Sequence, residues 1–359
     1  MSRILTVYSS RLRPVKRADM AEIRWHRISS ALAALGHTVH MASAELPVRF
    51  RRTLGDSTEA SMVPIARVDW QSYDMVKTLF HSGFETLEKY GGTGHRFIVS
   101  KLGSVVAATE MEGIYFYGRQ CERMYQTQRR IAATSRYVTL LSESAISLWR
   151  EMFGDDQNTL LVPGAADAII PPPGRDPYPD DAGSRCVFSG NFYDFSDRSQ
   201  PEAHRVIASK LNRIGELLQA RKCRLFVVGP GDHRSLDSRY VTYCGTVTHD
   251  ESWNFLHFAD VGLVVAAGRF MHNNESTKIY HYLRAGLPVV SEAGFPNDNV
   301  VRDSGLGFVV DNGALELMAE QVIAAAAMTW DRERAVKYIL SNHTWAHRAS
   351  VYDGLLRAR

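Results

Sequence analysis

Asn274-Glu275-Ser276-Thr277-Lys278-Ile279-Tyr280-His281-Tyr282-Leu283-Arg284-Ala285-Gly286-Leu287-Pro288-Val289-Val290 is the stretch whose reading decides the fold. A small polar start, an amphipathic middle, an Ala-Gly-Leu-Pro stop and a Val-Val run read as loop, helix, turn and buried strand. Glu275, Ser276 and Thr277 suit a first turn, and one of them is expected to cap the helix. Gly286 is placed to end it, and Pro288 prevents its continuation. Free N–H groups at such a helix start attract an anion, and Lys278 adds a full positive charge one turn in. The chemistry this suits is a phosphate held at the carboxyl edge of a parallel sheet. The structural alternative is an ordinary capped helix between two strands, so the context decides.

Outward from this stretch, strands and helices alternate on both sides. In the second half, strand patterns at 186–189, 225–228, 241–244, 261–265 and 307–310 are separated by helical patterns at 200–220 and 250–258. Three of these strands run into glycine at their carboxyl ends: Gly190, Gly229 with Gly231, and Gly245. Ligands of open parallel sheets bind at those ends, where glycine lets the backbone come close. Three such glycines plus a lysine-bearing helix start point to a nucleotide site within residues 184–330. The G-x-G-x-x-G fingerprint is absent, which argues against nicotinamide and flavin.

The first half opens with a strand pattern at 4–8, a basic loop, a helical pattern at 18–35 ended by Gly36, and a strand at 38–42. Further strands are expected at 74–79, 97–99, 138–142 and 160–163, with a long helix over 113–135. Pro171-Pro172-Pro173-Gly174, followed by Pro177, Pro179, Asp180 and Asp181, is the sharpest change in composition. It reads as a linker between domains. The expected division is 1–170, a Pro-rich linker at 171–183, 184–335, and a terminal segment at 336–359.

Length and composition agree with two domains. The chain has 359 residues, 45% of them hydrophobic and 23% charged. A formal charge of +3 is too small to argue for nucleic acid. Its distribution is uneven: Arg11, Arg13, Lys16, Arg17, Arg24 and Arg27 crowd the first thirty residues, and Arg49, Arg51 and Arg52 follow. A solvated basic face and a surface for an anionic acceptor or acidic membrane are the two readings. Cys121, Cys186, Cys223 and Cys244 show no paired spacing, so reduced thiols are expected rather than zinc ligands or disulfides. No stretch approaches about 20 apolar residues, and the start lacks a signal-peptide core, so a cytoplasmic protein is expected.

With these features in place, the chain resembles the GT-B glycosyltransferases of the glycosyl transferases group 1 (family 4) type over nearly its whole length. Gly36-His37-Thr38-Val39 is similar to that family's Gly-His-x-Val, and Val162-Pro163-Gly164-Ala165-Ala166-Asp167 to its Pro-Asn-Gly-Val-Asp. Phe188-Ser189-Gly190-Asn191, Val227-Val228-Gly229-Pro230-Gly231 and Val241 to Val247 resemble three donor-domain loops. Gly286-Leu287-Pro288-Val289-Val290 is the most specific match, and the end of the chain, with Trp345 and Tyr352, is similar to a last helix that crosses back onto the first domain. The Ser-Thr-Lys-x-x-His-Tyr form is also locally similar to a glucuronosyltransferase type known from xanthan assembly.

The resemblance implies an α/β protein of GT-B architecture, two Rossmann-like domains with parallel sheets facing an interdomain cleft. It implies a nucleotide-sugar donor on the second domain, with no cofactor beyond that co-substrate. Gly190, Asn191, Gly229 and Gly231 stand in the donor-domain loops; carried over by position, Gly245, Thr246 and Val247 contact the base, and Ser276, Thr277 and Lys278 hold the diphosphate. Arg269 and His272, just before the key helix, are placed either to reach the donor's sugar or phosphate or in a solvated loop. The family's E-x7-E pair falls on Asn273 and His281, with Glu275 two residues after the first; histidine makes one ribose hydrogen bond where a carboxylate makes two. The Arg and Lys that follow the first donor-domain glycine in the family are replaced by Asn191 and Phe192.

Transfer needs charge neutralisation of the leaving diphosphate, which a helix start plus Lys278 supplies, and no Asp-x-Asp stands where a magnesium would sit, so metal independence is expected. An inverting reaction also needs a base for the acceptor proton. Asp19, His26, Glu110 and Glu112 in the first domain are the candidates. The acceptor is expected to be a glycan, a lipid-linked glycan or a related molecule, with peripheral membrane contact through the basic N-terminal region. A non-catalytic nucleotide-sugar binding protein and a glycosyltransferase acting on nucleic acid are the alternatives.

Overall fold

Alternation of short buried strands with amphipathic helices produces two separate parallel sheets, each with its own core. The computed structural model describes residues 1–9, 20–44, 52–53, 60–107, 118–192 and 203–359. Asp19, Glu110, Glu112 and the basic residues Arg11, Arg13, Lys16, Arg17, Arg49 and Arg51 lie outside the described residues.

The first unit comprises Met1–Ala107, Arg119–Gly164 and Trp345–Arg359. Its elements are β1 (Arg3–Val7), α1 (Met20–Ala34), β2 (Thr38–Ser43), β3 (Arg52–Thr53), β4 (Ala60–Pro64), β5 (Met75–Leu79), α2 (Phe80–Lys89), β6 (Ile98–Lys101), α3 (Gly118–Thr134), β7 (Tyr137–Leu140), α4 (Glu143–Phe153) and β8 (Thr159–Leu161). The sheet order is β3-β4-β2-β1-β5-β6-β7-β8, parallel except for the antiparallel edge strand β3. β4 has no counterpart in the strands expected from sequence. Its Ala-Ser-Met-Val-Pro run is short, does not alternate and ends in proline, so it carries little strand signal. One face is fixed by a buried network: Trp25 Nε1 donates to Thr6 Oγ1 at 2.9 Å, and Ser29 Oγ lies 3.0 Å from the same oxygen.

The second unit contains β9 (Ser184–Ser189), α5 (Ala203–Gln219), β10 (Cys223–Val228), β11 (Val241–Tyr243), α6 (His249–Phe258), β12 (Val261–Val264), α7 (Thr277–Arg284), β13 (Val289–Glu292), α8 (Asn299–Ser304), β14 (Gly307–Val310), α9 (Leu315–Ala327) and α10 (Arg332–Asn342). Its sheet runs β11-β10-β9-β12-β13-β14, with every pairing parallel. The chain builds outward from β9 in one direction, then restarts at β12 in the other. That reversal makes the carboxyl edge of β9 and β12 a topological switch point, where such sheets open a crevice. α6 opens with a full capping box between Thr248 and Glu251.

The Pro-rich stretch 171–183, expected as a linker, packs onto the second unit. Tyr178 is buried in that unit's core and its hydroxyl donates to the Phe255 carbonyl at 2.8 Å. Asp176 accepts from Arg185 at 2.7 Å. Proline prevents helix and central strand but leaves side chains free to dock, which composition does not reveal. The terminal segment expected as one piece is divided: α10 belongs to the second unit, whereas α11 (Trp345–Arg357) packs on α1 in the first. His37 Nε2 with Asp353 Oδ1, at 3.1 Å, and Thr139 with the Tyr352 hydroxyl, at 3.1 Å, hold α11 there. Cys186 and Cys223, on adjacent strands, are buried free thiols, as is Cys121. Among the described residues no helix is long and apolar enough to cross a membrane.

A buried ion pair closes the second unit beside its strand ends. Glu292, fully buried at the end of β13, takes Lys210 of α5 at 2.7 and 2.8 Å and the Gly313 N–H at 2.8 Å. Lys210 also donates to the Ala266 carbonyl at 2.9 Å. Breaking such a pair from one side leaves a buried charge uncompensated, which costs about 3–5 kcal/mol. Lys210→Met is therefore expected to lower the unfolding free energy in urea by about that amount, whereas a near-wild-type value would show that the pair contributes little.

Candidate functional site

At the switch point the three glycine-terminated strands are laced together by their main chains. Gly190 N–H donates to Val228 O at 2.8 Å, Phe192 N–H to Pro230 O at 3.0 Å, and Gly229 N–H to Gly245 O at 2.9 Å. The strand ends are close enough that a Cβ on Gly229 would stand 2.5 Å from the Gly190 carbonyl oxygen. Real Cβ atoms do not make such contacts, so this edge exposes main chain by necessity. Gly231 lies under the Phe192 ring, where a Cβ would stand 2.6 Å from ring carbons. The Tyr243 hydroxyl donates to Gly229 O at 3.0 Å and its ring stacks on His233. Asn191 and Thr246 are exposed beside this edge, and Val247 packs partly into the core.

α7 brings charge to the same edge. Tyr282 anchors it: the ring crosses Gly262 of β12, and its hydroxyl accepts the Ser189 N–H at 2.8 Å and donates to Leu263 O at 3.4 Å. Lys278 lies one turn earlier on the same helical face. Its Nζ sits 4.7 Å from the centre of the Phe188 ring, and a Cβ on Gly190 would stand 2.5 Å from its Cε. Among the described residues this ammonium meets no carboxylate. Burial without a counter-charge pushes its pKa down to about 8. The helix then closes in a Schellman turn: Leu287 N–H reaches Tyr282 O and Gly286 N–H reaches Leu283 O, with Gly286 at φ 68°.

Ser276 occupies the N-cap position, as expected, but its side chain does not cap. Its backbone is held instead by Asn297, whose Oδ1 accepts from Ser276 N–H at 3.0 Å while its Nδ2 donates to Ser276 O at 2.9 Å. The Ser276 hydroxyl is buried with no hydrogen-bond partner among the described residues. An orphaned buried hydroxyl costs about 1–3 kcal/mol, a cost that a bound acceptor removes. Glu275 is buried and takes the Tyr280 hydroxyl at 3.1 Å, so it braces the turn before α7. Thr277 is the first helical residue, and Arg269 has its backbone in the 3-10 turn Arg269–Asn273 just upstream. The His281 ring packs, tilted, at 5.5 Å from that of His249 and 5.2 Å from that of Trp253. His249 in turn pairs with the buried Asp167 at 3.0 Å.

The structure thus brings Gly190, Gly229 and Gly245 together and sets Lys278 against the first of them. His26 belongs to the first unit, on α1, edge-on to Trp25 at 5.7 Å. Asn297, Tyr282, Phe188 and the Asp167–His249 pair were not among the expected site residues. Tyr282, Phe188 and Asp167 stand in stretches that carried the resemblance, and Tyr282 also lies four residues after Lys278 on a helix, whereas Asn297 and His249 carried no signal. The site has the chemistry of an oxyanion cradle, with a cationic amine, a spare hydroxyl and main-chain surface. Sulfate, whose charge is constant near neutral pH, should bind there and lose affinity as pH rises through about 8, where Lys278 loses its proton. Lys278→Met should bind it roughly tenfold more weakly or worse, without that pH dependence. Unchanged titration curves in the variant would remove Lys278 from the site.

Residues 206–324 match the model of the glucosyltransferase 3-like C-terminal domain. No match was found among curated proteins. Among solved structures, the chain is similar to sucrose-phosphate synthase from Thermosynechococcus elongatus, with 13% identity, all of both chains covered and a TM-score of 0.68. It is similar to Anabaena HepE, solved with UDP and glucose, at 11% identity, with all of both chains covered and a TM-score of 0.68. The UDP-forming trehalose-phosphate synthase from Burkholderia xenovorans, solved with glucose-6-phosphate, has 9% identity, 99% of each chain covered and a TM-score of 0.64. The resemblance read from the sequence therefore holds at the level of architecture: the chain has the GT-B fold of glycosyltransferases, and its second unit is similar to the glucosyltransferase 3-like C-terminal domain.

Proposed function

We propose that the protein is a glycosyltransferase that takes a sugar from a nucleoside-diphosphate donor, a UDP-sugar, held by the second unit. The observation that carries this reading is the pairing of an uncompensated Lys278 with an orphaned Ser276 hydroxyl at a helix start beside Gly190. A diphosphate satisfies all three at once. The UDP present in HepE and the UDP released by the trehalose-phosphate synthase support the choice of base. Main-chain groups around Gly245 and the His281 ring lie on the adjoining strand-end region, suited to a nucleoside.

In the reaction the bond from the sugar's anomeric carbon to the diphosphate oxygen breaks, and a bond to an acceptor hydroxyl oxygen forms. Negative charge grows on the leaving diphosphate, where Lys278, the Ser276 hydroxyl and the N-terminal amides of α7 stabilise it. This set supplies the neutralisation that a metal would otherwise give, so transfer is proposed to be metal-independent. The acceptor's proton goes to a base in an inverting reaction, with Asp19, His26, Glu110 and Glu112 as candidates, or to the departing phosphate in a retaining one. The acceptor is proposed to be a glycan or lipid-linked glycan, met on the cytoplasmic side of a membrane through the basic N-terminal stretch.

A thermal-shift panel of UDP, GDP, ADP, CMP and their sugars, with and without EDTA, tests donor binding. UDP should raise the melting temperature with EDTA present, and hydrolysis or transfer of its sugar should follow. Lys278→Ala should stay folded and lose at least about a hundredfold in turnover, the scale of one lost transition-state contact. Stabilisation by another nucleotide alone would overturn the choice of base. Binding without turnover on any acceptor would favour a nucleotide-sugar binding protein.

A further inference from the structure

The second unit also holds an imidazole backed by a buried carboxylate. Asp167 is 4% exposed, and its Oδ2 lies 3.0 Å from His249 Nε2. A carboxylate only accepts hydrogen bonds, so Nε2 carries the hydrogen and the neutral ring keeps its lone pair on Nδ1. Both partners are held from behind. His249 is the first residue of α6, whose start is fixed by the capping box on Thr248. Arg284, the last residue of α7, donates to Asp167 O at 3.1 Å and to Ala168 O at 2.8 Å. Ala166 N–H donates to the His343 carbonyl at 2.8 Å.

Two buried histidines of the first unit show what a purely structural ring does. His95 Nε2 donates to Tyr73 O at 3.0 Å while its Nδ1 accepts from Phe97 N–H at 3.1 Å. His37 is backed by Asp353 at 3.1 Å, and its Nδ1 takes the Ser2 N–H at 3.3 Å. His249 differs: its Nδ1 makes no hydrogen bond among the described residues, and its side chain keeps 11% of its surface open. Its ring packs 5.5 Å from that of His281, which follows Lys278 by three residues on the same face of α7. One helical turn, about 5.4 Å, is comparable to the reach from a nucleotide's phosphate to its ribose.

Resting on the proposal that the second unit holds a UDP-sugar, we infer that His249 is a specificity residue for the donor: its Nδ1 accepts a hydrogen bond from a ribose hydroxyl. A phosphate oxygen cannot fill this role, because it has no hydrogen to give. Asp167 is a positioning residue that fixes the ring and its tautomer without touching the donor. The pair makes the site select ribonucleotides over their deoxy forms.

The test is calorimetric titration of UDP, 2′-deoxy-UDP and 3′-deoxy-UDP into the wild type and His249→Gln. Glutamine puts its amide nitrogen where Nε2 stood, so it still donates to Asp167, but it has nothing in the place of Nδ1. The wild type should bind UDP about tenfold more tightly than one of the two deoxy forms, the scale of one hydrogen bond. His249→Gln should bind UDP as weakly as that deoxy form, whose own affinity the substitution leaves unchanged. Asp167→Leu should lose the discrimination too, and Asp167→Asn, whose Oδ1 still accepts from Nε2, should retain it. Equal binding of all three nucleotides by the wild type, or discrimination undiminished in His249→Gln, would overturn the inference and leave the donor site standing. Equal weakening of UDP and its deoxy forms in Asp167→Leu would overturn the positioning role. UDP that fails to bind the wild type at all would overturn the donor assignment and this inference with it.

Discussion

The second unit is organised by the missing side chains of Gly190 and Gly229. A Cβ at Gly229 would press on the Gly190 carbonyl, and one at Gly190 would displace the Lys278 side chain. Because both are glycine, three strand ends close into one edge of exposed main chain, and a lysine folds down beside it. The site is therefore a consequence of backbone proximity first and of side-chain chemistry second. Lys278 is held where it is by its helix, which Tyr282 pins to the end of β9.

Three lysines, Lys77 buried and Lys210 and Lys278 half-buried, are treated in two ways. Lys210 is neutralised by Glu292 and contributes rigidity, locking α5 to the ends of the central strands. Lys278 and Lys77 are left without a counter-charge among the described residues, and burial lowers the pKa of each. Perturbed charges of this kind cluster at functional sites. In the second unit the counter-charge is assigned to a donor diphosphate, which arrives and leaves with the substrate.

Much of this was legible in the sequence because it rests on local signals. The Gly286-Leu287-Pro288 stop, the glycines after β9, β10 and β11, and the alternation of strands and helices all follow from backbone preferences of individual residues. The Ser276 N-cap position was legible, but its empty hydrogen bond was not, because Asn297 satisfies the backbone from twenty-one residues away. The buried pair of Lys210 and Glu292 spans eighty-two residues and leaves no periodic trace. The packing of Tyr178 into the second unit was hidden by the prolines around it. Cavities are the least legible of all: Lys77, Lys101 and Arg348, which line one in the first unit, come from two strands and the last helix, and only the fold makes them neighbours.

The central claim is that Lys278 and the Ser276 hydroxyl are the diphosphate's partners. A crystal structure of the protein with UDP tests it most directly. The diphosphate is expected at the start of α7, with its oxygens in hydrogen-bond contact with Lys278 Nζ and Ser276 Oγ, alongside Gly190. A nucleotide bound with its phosphates elsewhere, and Lys278 still resting on the Phe188 ring, would contradict it.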